Sequence, residues 1–142
     1  MKNHILWIED DSYVIKGLLS PLEDEGYSFD IATSAMDAYQ KVLQNQDYTM
    51  YMVDLILPLS DGDEKVSPIV EAWDSEPHVG IGVAKWLACD MGIKSPILLL
   101  SVVENPISRY GLKKYGLRFC LSKGGLLPSI LKKEVLHILN SK

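Results

Sequence analysis

Apolar positions along this chain fall into two kinds of run, and the two alternate. Short runs of four to six residues occur at His4–Ile8 (HILWI), Phe29–Ala32, Met50–Leu55 (MYMVDL), Pro96–Leu100 (PILLL) and Leu117–Leu121. Their aliphatic, β-branched and aromatic content predicts five strands, and the unbroken ILLL predicts one covered on both faces. Between them the apolar spacing changes to that of a helix. Tyr13–Glu25 places Val14, Leu18, Leu19 and Leu22 on one face and ends at Gly26, with Pro21 predicting a kink. Ser34 is an N-cap with Asp37 three residues on as a near capping box, ahead of a face made of Ala35, Ala38, Tyr39, Val42 and Leu43. Val83–Met91 ends at Gly92, Ile107–Tyr115 ends at Gly116, and Leu127–Leu139 closes the pattern. Ile56–His78 carries Pro58, Gly62, Pro68 and Pro77 among acidic residues and reads as a loop.

Five strand–helix pairs in succession predict an α/β fold with a parallel sheet and helices on both faces. In such open sheets, sites form beyond the carboxyl ends of the strands. The residues found there are Glu9-Asp10-Asp11 after the first strand, Asp54 at the end of the third, Ser101 after the fourth and Ser122-Lys123 after the fifth. Taken singly, each has a plain reading. Asp10, Asp11 and Ser12 cap a helix, Asp54 begins a turn, and Lys123 is a solvated lysine. Brought to one rim by parallel strands, they become a chemical set. Crowded carboxylates raise one another's pKa unless a cation offsets them. A hard divalent ion such as Mg²⁺, taking one or two carboxylates plus phosphate oxygens, meets that need. Glu9 and Asp10 can hold it while Asp54 attacks a phosphoryl group; Lys123 supplies a point charge and Ser101 a hydroxyl.

Composition narrows the partners. The chain has 142 residues and a formal net charge of −5, which suits one domain and disfavours nucleic acid as a partner. No apolar run is long enough to insert in a membrane, and the acidic residues at 9–11 come too early for a signal peptide. Cys89 and Cys120, far apart, fit a reducing cytoplasm as core thiols. His4, His78 and His137 show no metal-ligand spacing.

At the strand ends the chain resembles the receiver domains of two-component response regulators. ILWIEDD resembles the family's first strand and acidic pair, and MVDLILPLSDG its phosphoacceptor strand with the following proline and Asp-Gly turn. PILLLS and FCLSKG resemble the fourth and fifth strands with their terminal hydroxyl and lysine. The resemblance covers nearly the whole chain. It implies a single-domain, flavodoxin-like (βα)5 fold, a doubly wound parallel five-stranded sheet in the order 2-1-3-4-5, over residues 1–142. It implies Asp54 as acceptor of a phosphoryl group from a sensor histidine kinase or phosphotransfer protein. It implies Mg²⁺ held by Glu9, Asp10, Asp54 and the Ile56 backbone carbonyl, with Ser101 and Lys123 on the phosphoryl group. It implies, further, a cytoplasmic stand-alone receiver and not a metabolic enzyme, acting through a protein partner or a homodimer. The alternative expectation is a degenerate receiver that binds partners independently of phosphorylation.

The sequence departs from the family's pattern in four places. After Asp61-Gly62 an insert, about residues 63–79, precedes the third helix; it is expected to be a lid or a docking element. Lys123 is followed by Gly124-Gly125, not proline, leaving the isomer of that bond open. The switch position three before the lysine is Cys120, with Phe119 pointing to the opposite face. Ile56 and Val103, two after Asp54 and Ser101, cannot hydrogen-bond an attacking water, so slow self-dephosphorylation is expected. The family's usual partner surface carries Arg109, Tyr110, Lys113, Lys114 and Tyr115 here, a set equally readable as a solvated face with core tyrosines.

Overall fold

The computed structural model describes residues 3–62 and 65–140. Five strands, β1 (His4–Ile8), β2 (Ser28–Ala32), β3 (Met50–Asp54), β4 (Ile97–Ser101) and β5 (Phe119–Ser122), pair in parallel in the order β2-β1-β3-β4-β5. The flavodoxin-like order expected from the sequence is the one observed. β3 sits centrally, every one of its residues buried, with Ile8 opposite Val53 and Asp54 opposite Leu100.

Strand alternation divides the core into two layers. Leu6, Ile8, Tyr51, Val53, Leu99 and Ile97 face one side, where they meet α3 (Ala35–Gln44), α4 (Pro68–Ala72) and α5 (Val79–Lys85). Ile5, Trp7, Met50, Met52, Leu98 and Leu100 face the other, against α1 (Ser12–Leu18), α2 (Ser20–Asp24) and α7 (Pro128–Asn140). β1, β3 and β4 are therefore apolar on both faces, which is why their sequences read as continuous runs.

Four expected elements differ in detail. Tyr13–Glu25 is two helices broken at Leu19, because Pro21 has no amide hydrogen to give back to Gly17. Asp37 does not close a capping box on Ser34. Ser34 Oγ accepts from the Asp37 amide, but the Asp37 carboxylate accepts from Thr33 N–H and from Lys41. The third helix begins at Val79, not Val83, and runs through a π-helical turn over Trp86–Asp90. The expected helix Ile107–Tyr115 is a four-residue α6 (Pro106–Arg109) and a 3-10 turn at Leu112–Tyr115, separated by Gly111 in the left-handed region.

The insert is not a loop throughout. Asp63 and Glu64, its first residues, lie outside the described residues. Ser67 caps α4, and a 3-10 turn follows at Trp73–Ser75. Val70 and Trp73 are buried in the α3/α5 layer, where Trp73 meets Tyr39 and Trp86, ring centroids 6.4 and 5.4 Å away. A Cβ on Gly82 would lie 2.5 Å from the Trp73 Cβ, so the glycine makes room for the indole. Through Val70 and Trp73 the insert is thus built into the core. Cys89 and Cys120 are exposed, not core thiols. Cys120 alternates outward on an edge strand, and Cys89 lies on the outer side of the π-helical turn.

Candidate functional site

The carboxyl ends of β1, β3 and β5 bring Glu9, Asp10, Asp54 and Lys123 around one cleft of about 500 Å³, completed by Asp11, Ser12, Ile56 and Val102. Glu9 follows β1 directly, its amide fixed to the Ala32 carbonyl at 2.8 Å, and its side chain is fully buried. Asp54 is the last residue of the central strand and is 4% exposed. Lys123 follows β5, its amide donating to the Ser101 carbonyl at 2.9 Å.

Lys123 Nζ lies 2.8 Å from Glu9 Oε1 and 2.8 Å from Asp54 Oδ2. One ammonium thus bridges two buried carboxylates. The second Asp54 oxygen, Oδ1, accepts from the Ile56 amide at 3.2 Å, so both oxygens have fixed orientations. Burial pushes the Glu9 carboxyl up to about 7, with the Lys123 hydrogen bond pulling it down and the Asp54 charge pushing it up again. Burial pulls Lys123 down, but its hydrogen bonds to Asp54 and Glu9 outweigh this and hold it above the usual lysine range. Lys123 is therefore charged, and the carboxylates outnumber the cations around the cleft.

The donor set fits a hard divalent ion. Glu9, Asp10 and Asp54 each offer a carboxylate oxygen, and these oxygens lie within 4.8 Å of one another. Asp10 is exposed, which leaves the solvent side open to water ligands. Asp11 does not join them: its carboxylate accepts from the Tyr13 and Val14 amides, so here the plain helix-cap reading holds.

Ser101 is placed differently. It is buried at the end of β4, but its hydroxyl is engaged within its own turn, accepting from the Val103 amide at 2.8 Å and donating to the Val103 carbonyl at 3.0 Å. It lines the neighbouring hollow with Cys120 and Ser122, not the acidic cleft. Ile56 is on the cleft, 53% exposed. Phe119 packs inward while Cys120 points outward, as alternation predicts. Among the described residues no peptide bond is cis, so Lys123–Gly124 is trans. Tyr110 and Tyr115 pack on the core, whereas Arg109, Lys113 and Lys114 are exposed.

Sequence reasoning missed two residues. Val102, 66% exposed, borders the cleft as Ile56 does, and the two give the acidic site an apolar part to its rim. Gly80 starts α5 directly on the end of β3: its amide donates to the Leu55 carbonyl at 2.9 Å, and a Cβ there would lie 2.1 Å from the Asp54 carbonyl oxygen. The signal was the VGIG spacing after Pro77, which reads as loop because glycine disfavours helices. None of residues 65–78 lines the cleft.

No family model matches the chain. Over 58 residues it is 40% identical to the transcriptional regulatory protein BasR of Escherichia coli strain K12, covering 41% of this chain. The match spans about a quarter of that relative's length. Among solved structures, the chemotaxis response regulator CheY4 of Vibrio cholerae superposes with a TM-score of 0.73 at 19% identity, over 97% of this chain and 99% of the other. A two-component response regulator from Clostridium difficile gives 0.70 at 23% identity, over 97% and 96%. The BeF3-activated N-terminal receiver domain of Klebsiella pneumoniae RstA gives 0.69 at 16%, over 97% and 99%. With its five strands in the same order and its acidic cluster at their carboxyl ends, the chain has the receiver-domain fold of the two-component response regulators.

Proposed function

We propose that the chain is a phosphoacceptor: Asp54 takes a phosphoryl group from a phosphohistidine on a sensor kinase or phosphotransfer protein, and the new charge alters partner binding. The observation that carries this reading is the buried Asp54 carboxylate, with Oδ2 on Lys123 and Oδ1 on the Ile56 amide, beside two further carboxylates.

An Asp54 carboxylate oxygen attacks phosphorus in line with the donor nitrogen. The O–P bond forms as the N–P bond breaks, and the imidazole leaves with its electron pair and takes up a proton. Lys123, pinned between Glu9 and Asp54, is placed to receive a phosphoryl oxygen, replacing one ion pair with another. Glu9, Asp10, Asp54 and the Ile56 carbonyl are the groups that would hold Mg²⁺. The ion's chemistry there is to neutralise phosphoryl oxygens against a carboxylate wall. Chemistry is confined to gaining and losing this one group, so the chain is a signalling domain and not a metabolic enzyme. A sensor-kinase phosphohistidine as donor would put its action in the cytoplasm. Separately, none of the described helices is long and apolar enough to cross a membrane.

A second reading, a phosphorylation-independent binding module, draws on the Ser101 hydroxyl being tied to Val103 and away from the cleft. Intact-protein mass after incubation with acetyl phosphate separates the two. One added phosphoryl group, absent when EDTA is present during the incubation, supports the acceptor; no addition with or without Mg²⁺, and none from a phosphohistidine donor, supports the module.

A further inference from the structure

The described residues of the insert do not line the cleft, yet they reach another part of the fold. Its carboxyl-terminal end is tied twice to the segment 106–116, which follows β4. First, His78, the residue that precedes α5, lies 3.0 Å through Nε2 from the Tyr110 hydroxyl, with the two rings edge to face at 5.5 Å. Second, Lys85 bonds the Glu76 carboxylate at 2.8 Å and lies 4.7 Å above the Tyr115 ring. Tyr110 closes α6 and Tyr115 closes the following 3-10 turn, so each tie grips one half of the broken helix.

That segment is weakly held by its own backbone. α6 has four residues, and Asn105 before it sits at φ 50°, in the left-handed region. The other end of the tie is rigid. Two residues after His78, Gly80 is seated on the Asp54 and Leu55 backbone, and Trp73 is locked on Gly82. A short chain of contacts therefore runs from the Asp54 peptide through the start of α5 to Tyr110.

We propose that residues 76–85 form a clamp that holds 106–116 in its present arrangement through Tyr110 and Tyr115, and that a phosphoryl group on Asp54 must work against this clamp to change the outer face. This rests on Asp54 being the acceptor.

Hydrogen exchange and beryllofluoride titration with Mg²⁺, on the full chain, test the clamp. The variants are Tyr110→Phe, which keeps the ring and removes the hydroxyl, and Lys85→Met, which keeps the stem and removes the charge. The amides of Tyr110, Gly111 and Gly116, hydrogen-bonded within the segment, and of Arg109, bonded to the Asn105 carbonyl just before it, report its opening. In each variant they exchange about three- to tenfold faster, the worth of one hydrogen bond, while Met52 and Val53 of β3 are unchanged. Beryllofluoride binds tighter by the same factor, since loosening the clamp removes work that binding must do. Unchanged exchange at 109–116 in both variants overturns the clamp. Faster exchange with unchanged beryllofluoride affinity overturns its coupling to Asp54. A wild-type chain that binds no beryllofluoride overturns the acceptor reading and the coupling with it, whereas the exchange comparison still decides whether the clamp exists.

Discussion

Two glycines in helices are expected to respond oppositely to alanine, and the difference measures how tightly α5 is seated on the site. Gly17 in α1 has open space where a Cβ would go. Gly17→Ala therefore gains helix propensity and stabilises the fold by about 0.5–1 kcal/mol. Gly80→Ala gains the same propensity but inserts a methyl group 2.1 Å from the Asp54 carbonyl oxygen, 2.5 Å from the Leu55 Cα and 2.8 Å from the Leu55 carbonyl oxygen. All three are backbone atoms of a chain paired with β1 and β4, so they cannot turn aside as a side chain would. The helix start must lift by roughly 1 Å, breaking the 2.9 Å bond from the Gly80 amide, and overpacking of this kind costs about 1–3 kcal/mol. Urea unfolding followed by helical circular dichroism gives both values from one pair of titrations. A Gly80→Ala chain as stable as Gly17→Ala would refute the close seating of α5 on β3.

Tyr51 is fully buried, and its hydroxyl has no hydrogen-bond partner among the described residues; burial first, then the Asp47 charge, pushes its phenol up to about 12. Tyr51→Phe removes an unsatisfied group and is expected to be neutral or stabilising by about 1 kcal/mol in the same titration, whereas a loss of that size would point to a missing partner. Glu9, raised from 4.5 to about 7, favours its neutral form in the folded chain, so its contribution is full below about pH 4.5 and is lost as pH rises through 7. In divalent-free buffer this one group lowers the unfolding free energy by on the order of 3 kcal/mol across that window, and Glu9→Gln flattens the slope; an identical slope in the variant contradicts the assignment. Ile56 borders the cleft and cannot orient water, so a phosphorylated chain loses its group slowly, over minutes or longer, and Ile56→Asn speeds loss by about tenfold or more. Phosphate release measured after removing the donor checks this, and a wild-type half-life of seconds would contradict it.

What the sequence made legible follows from where physical constraint is local. β1, β3 and β4 are apolar on both faces, so their runs marked strands without ambiguity, and the topology followed from the alternation with helices. Glu9, Asp10, Asp54 and Lys123 were legible for the same reason: Asp54 ends its strand and the other three follow within two residues of a strand whose end was clear. The illegible parts depend on partners distant in sequence. VGIG looks like a loop until Trp73 and the Asp54 backbone are seen to occupy the space two side chains would need. α4 hides in a proline-rich stretch because Pro68 is a helix start, not a break. Ile107–Tyr115 has helical spacing, yet Gly111 in the left-handed region divides it. Ser101 was identified by position, but its rotamer answers to Val103, which no spacing reveals. Cys120 reads as a core thiol in an apolar run, yet it lies on an edge strand, where alternate positions face outward.

The central claim is that Asp54 is the reactive carboxylate. Borohydride reduces an aspartyl phosphate to homoserine, marking the residue that carried the group. The chain is to be incubated with acetyl phosphate and Mg²⁺, reduced, digested and read by peptide mass spectrometry, beside Asp54→Asn and an EDTA control. The account predicts homoserine at position 54 alone, absent in both controls. Homoserine at Asp10, Asp11 or any other aspartate, or the same yield with EDTA, would contradict it.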